Sequence, residues 1–91
     1  MVALALTLAP SAHAQSGSGT STCNASWSYT WVNSSASIAH RHEAAGYWNE
    51  QTKPSGVSSY RGWRNPGPVF MTLDTAGTFN RSGAVYGCAA A

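Results

Sequence analysis

Charge is the scarcest property of this sequence: Asp, Glu, Lys and Arg make up 9% of its 91 residues, against about a quarter in an average soluble domain. So little charge excludes a solvated disordered tail. A net charge of +2 also lacks the clustered basic footprint of a nucleic-acid binder. No stretch reaches the ~20 apolar residues of a membrane helix, and the heptads of a coiled coil are missing. Acids are especially few. Glu43, Glu50 and Asp74 are the three in the chain, and glycoside chemistry needs two carboxylates facing a cleft that so small a domain can hardly form. No G-x-S-x-G elbow marks a nucleophile among the many serines. The expectation is therefore a protein that is not an enzyme and uses no cofactor.

What is present points to export. Residues 1–14 read as a signal peptide, with an apolar run from Val2 to Ala9 followed by the small-x-small pattern Ala12-His13-Ala14, though no basic residues precede the run. Residues 15–22, Gln-Ser-Gly-Ser-Gly-Thr-Ser-Thr, offer nothing to bury and read as a flexible Gly/Ser-rich tail. The folded domain is then 23–91. Its two cysteines, Cys23 and Cys88, bracket almost all of it. In an exported chain an even count is read as a disulfide, here with one possible connectivity. Closing so long a loop is worth at most about 4 kcal/mol in the chain-entropy model. A domain this small sits near the stability threshold, so that contribution is decisive.

Aromatic residues make up 11% of the chain, including four tryptophans, and they set the period. Trp27, Tyr29 and Trp31 recur at every second position, with Ser26, Ser28 and Thr30 between them. That alternation predicts a strand with a ring face and a hydroxyl face. Ala36, Ile38, His40 and His42 continue the period on a second strand. Turn signals follow at 33–35, 53–56, 64–68 and 74–77, and 81–83 reads as a hairpin connection. The prediction is an all-β fold: a small antiparallel β-sandwich of about six to seven short strands, closed by one disulfide.

Two groups are candidates for a site. His40 and His42 share a strand face and could supply two positions on Zn²⁺ or Cu²⁺, but no third ligand has suitable spacing. The reading preferred over a metal site is a polar rim. The second group is aromatic and basic. So small a core cannot easily hold every ring, so Trp27, Tyr29, Trp31 and Trp48 suggest an aromatic face. Arg41, Lys53, Tyr60, Arg61, Trp63 and Arg64 are the candidate ligand-binding set, because guanidinium groups beside rings suit an anionic or sugar-bearing ligand.

Taken in order, Trp27-Ser28-Tyr29, His40-Arg41-His42, Trp63-Arg64-Asn65-Pro66-Gly67, Ala76 and Ala84-Val85-Tyr86 resemble the lactococcin 972 bacteriocin family. Cys23 and Cys88 are additions to that pattern. The resemblance implies a secreted bacterial protein built as a sandwich of two antiparallel sheets. It also implies a function: binding the cell-wall precursor lipid II of sensitive bacteria and interfering with septum formation, without catalysis. The alternative is a secreted module that recognises glycan or protein through its aromatic face.

Overall fold

A computed structural model describes residues 15–24 and 26–89; segment 1–14, expected to be a signal peptide, lies outside the described residues. Seven strands run in the order β1 (Gln15–Cys23), β2 (Ser28–Ser34), β3 (Ile38–Ala44), β4 (Tyr47–Lys53), β5 (Gly56–Arg61), β6 (Asn65–Thr75) and β7 (Val85–Cys88). They form two antiparallel sheets, β1-β6-β3-β4 and β5-β2-β7. The all-β, two-sheet expectation holds, and Cys23 is bonded to Cys88 across a sequence separation of 65. No helix of the described residues is long and apolar enough to cross a membrane.

The expected tail at 15–22 is instead the first strand, paired along its length with β6 from Gln15↔Thr75 to Thr22↔Pro68. Its alternation is real but carries no apolar side chain. The inward positions include Gly17 and Gly19, and the space above them is filled from the other sheet by Tyr86. A Cβ on Gly19 would stand 2.7 Å from Tyr86 Cβ, and one on Gly17 would meet the Tyr86 hydroxyl. The glycines therefore serve close approach rather than flexibility. The Ser21 hydroxyl donates to the Tyr86 carbonyl at 3.1 Å. Together with the disulfide, this ties β1 to β7 and closes one side of the sandwich.

Apolar packing runs along β6. Val32, Ile38, Leu73 and Phe79 form one buried cluster, Ala44, Val69 and Met71 a second, and Tyr86 packs against both. Two turn expectations need correction. The proline-rich stretch read as a turn at 64–68 begins β6, which continues through Pro66 and Pro68. β3 joins β6 only from Phe70 onward, so the prolines fall where β6 has β1 alone beside it and a missing N–H costs no ladder bond on the β3 side. The segment 81–83 is a single 3-10 turn, capped by the Asn80 side chain accepting from the Gly83 N–H. It is not a hairpin, because Phe79 makes only an isolated bridge to Ser34.

The β3–β4 hairpin is closed by Ala45 and Gly46, both at positive φ (50° and 86°). A two-residue loop of this kind suits the right-handed twist of its strands, but it places a Cβ in the left-handed region at Ala45. Replacing Ala45 with Asn, which tolerates that region, is expected to stabilise the fold by roughly 0.5–1 kcal/mol and raise the melting temperature by about 3–8 °C. A thermal melt showing no rise would contradict this account of the turn.

Candidate functional site

The inward face of β2 is its hydroxyl face. Ser28, Thr30, Val32 and Ser34 are buried, while Tyr29 and Trp31 alternate outward. Facing them from β3 are Ile38, His40, His42 and Ala44, all buried. The two histidines are fully enclosed between the sheets and do not form the expected polar rim. What makes burial possible is partner matching. His42 Nδ1 lies 2.6 Å from Ser28 Oγ and its Nε2 lies 2.9 Å from Thr30 Oγ1. His40 Nδ1 lies 2.7 Å from the same Thr30 oxygen, and its Nε2 lies 2.8 Å from Ser58 Oγ on β5.

The direction of this chain follows from counting protons. Ser28 Oγ already accepts the Trp63 backbone N–H at 2.8 Å. Were it to accept from His42 as well, its own buried hydroxyl proton would have no acceptor among the described residues. Ser28 therefore donates to His42 Nδ1, His42 Nε2–H donates to Thr30, Thr30 donates to His40 Nδ1, and His40 Nε2–H donates to Ser58. Both imidazoles are neutral, and each ring nitrogen is spent on a hydroxyl. That leaves no lone pair for a metal, and no group of three or more metal-ligating side chains occurs among the described residues. Burial lowers the pKa of both rings from 6.5 to about 4, helped at His40 by the Lys53 charge and at His42 by His40.

Two residues assigned to ligand binding belong to the casing of this chain. Tyr60 presents its ring edge-on to His42, with centroids 5.0 Å apart, and to His40 at 6.4 Å. Trp63 donates its indole N–H to the His42 carbonyl at 3.1 Å and packs on the Met71 cluster. Gly62 lies so close to His42 that a Cβ would clash with the imidazole. Lys53 ends β4 opposite Ile38.

The remaining candidates separate onto opposite outer faces. Tyr29 and Trp31 point outward from the three-stranded sheet, with Arg61 and Ser59 beside them on β5 and Gly87 and Val85 on β7. Trp27, at the same strand parity just before β2, is 39% exposed, and the Arg64 guanidinium sits 5.8 Å from its ring centre. Val57 and Val85, which the sequence reading did not single out, are exposed on this face. Arg41 and Trp48 instead occupy the outer face of the four-stranded sheet, with the guanidinium 4.2 Å from the indole centre. Glu43, Glu50 and Asp74 are all on that second face by strand parity. The molecule thus has a ring-bearing face with Arg61, Arg64 and no carboxylate, and a reverse face holding every acid in the sequence.

Ser28, Thr30 and Ser58 escaped the sequence reading because small hydroxyl residues alternating with rings look solvent-facing. The available signal was complementarity: two strands, each with a polar face of the same length, can bury those faces against each other.

Two measurements check the chain. The folded pKa values lie below the unfolded value of 6.5, so the unfolded state binds protons first. Stability is complete above about pH 6.5 and is lost as pH falls toward 4, by a few kcal/mol at ~1.4 kcal/mol per pKa unit. Melting temperatures measured from pH 8 to pH 4 should be flat at first and then fall. A flat profile throughout would exclude neutral buried imidazoles. Thr30→Val removes one donor and one acceptor from the middle of the chain and is expected to cost about 2–5 kcal/mol by denaturant titration; a cost below 1 kcal/mol would contradict the arrangement.

No protein-family model, curated protein or solved structure matches the chain.

Proposed function

We propose that this chain is an exported, non-catalytic antibacterial protein of the bacteriocin type, and that it binds a lipid II-like cell-wall precursor through the outer face of its three-stranded sheet. The observation that carries the reading is the segregation of charge. Arg61 and Arg64 stand beside Tyr29 and Trp27, while all three carboxylates lie on the reverse of the sandwich. Such a face attracts anions. Planar guanidinium forks match phosphate oxygens, and amphipathic rings suit the boundary between a phosphate headgroup and a lipid chain.

Other features support parts of the proposal. The resemblance of the residue order to the bacteriocin family favours an antibacterial role, and the long-range disulfide is compatible with an oxidising, extracellular setting. Non-catalytic action is favoured by the state of the histidines, since both rings are sealed from substrate and engaged at both nitrogens.

The test is binding of the disulfide-intact protein to phosphatidylcholine vesicles with and without lipid II, paired with growth inhibition of related bacteria. Retention by lipid II vesicles and inhibition of growth are expected, with Arg61→Ala plus Arg64→Ala weakening vesicle binding by about tenfold or more. Neither binding nor inhibition by the native protein would sink the proposal.

A further inference from the structure

The reverse face is organised in a way that the basic face does not require. Strand register places its outward side chains in rows. The first row runs Trp48, Glu43, Phe70, Thr20. The second runs Glu50, Arg41, Thr72, Ser18, and the third ends in Asp74 and Ser16. Trp48 is 52% exposed and Phe70 44%, with one carboxylate between them. At ~4.8 Å per strand the rings are about 10 Å apart. Beside them lies a shallow depression of about 530 Å³, lined by Phe70, Thr72, Asp74, Ser16 and Ser18 among others.

We propose that this face is a second binding surface, and that its ligand is a neutral, extended glycan. Three features select that chemistry. Three carboxylates outnumber the two cations, Arg41 within the rows and Arg81 donating to the Ser16 carbonyl at their edge, and disfavour an anion. The two rings are separated by polar side chains instead of being merged into a contiguous apolar patch, so the face lacks the dry centre of a protein interface. Rings held apart on a flat sheet, with hydroxyl and carboxylate groups between and beside them, can stack on the apolar faces of successive pyranoses while accepting and donating hydrogen bonds to their hydroxyls.

Arg41 adds an independent sign. Its Nε is buried without a hydrogen-bond partner, although its guanidinium lies over the Trp48 ring. Stacking holds the guanidinium over Trp48, beside the row of polar side chains that a ligand would meet. This surface and its ligand are independent of the lipid-precursor reading.

Titration of the ¹⁵N-labelled native protein with chitohexaose, and separately with cellohexaose, tests the proposal. At least one of them should bind, with amide shifts concentrated on β1, β6, β3 and β4. Trp48→Ala and Phe70→Ala should each weaken binding about tenfold. Arg61→Ala with Arg64→Ala should leave it unchanged, which separates this result from the lipid II experiment. No shifts with either oligosaccharide at millimolar concentration would overturn the proposal, as would shifts confined to β2, β5 and β7. If either ring variant melts below the assay temperature, Trp48→Phe with Phe70→Leu tests the same stacking. Undiminished affinity in that pair would also overturn the proposal.

Discussion

The hydroxyl of Thr30 sits between two imidazoles in the space between the sheets, and the register of the whole sandwich depends on it. It accepts from one ring and donates to the other, so both β2 and β3 must present their polar parity inward at the same level. A slip of one residue in β2 would bring Tyr29 and Trp31 inside and leave three imidazole nitrogens without their β2 partners. Each buried polar group left unpaired costs about 1–3 kcal/mol, enough to exhaust the stability of a domain this small. The polar chain thus specifies pairing where apolar packing alone would be permissive.

That constraint also decides the chemistry of the surface. Because hydroxyls take the inward positions of β2, the rings alternating with them are forced outward, and Arg61 lies directly beside Tyr29. On β3 the inward histidines force Arg41 and Glu43 outward, where β4 and β6 add the other acids and two more rings. The opposed charge of the two faces is therefore a consequence of parity, set by what the interior accepts. Closure of the opposite side obeys a different rule. There Gly17 and Gly19 recede so that Tyr86 can span the gap, and the Cys23–Cys88 bond holds the two strands together.

Period 2 made most of this legible from the sequence. It revealed the strand around Trp31, the shared face of Ile38, His40 and His42, and the number of strands, while cysteine count revealed the staple. It also showed which residues alternate, but not which parity faces in. The usual assumption that rings are buried and serines exposed fails at Ser28 and Thr30, because their partners are 10 to 14 residues away on another strand. Residues 15–22 give no strand signal for a related reason: a strand whose inward residues are glycines has no apolar signal of its own, and its complement, Tyr86, lies far away in sequence. The proposed ligand set was scattered for the same cause. Neighbours in sequence such as Tyr60 and Arg61 point to opposite sides of one sheet.

Geometry also limits how the two proposed surfaces can work together. Packed sheets are ~10 Å apart, and the side chains on their outer faces point away from each other. A single compact headgroup cannot reach Arg61 and Trp48 at once without wrapping the domain. With both proposed ligands bound, the sandwich would act as a spacer. If the basic, ring-bearing face settles on a membrane-borne precursor, the face proposed to bind glycan is turned outward, away from the lipid. Two weak surfaces joined rigidly gain from effective concentration only when both ligands are present at the spacing the domain imposes. Under the two proposals, this favours the interface where membrane-anchored precursor meets wall polymer, and neither ligand alone would hold the protein as tightly as the two together.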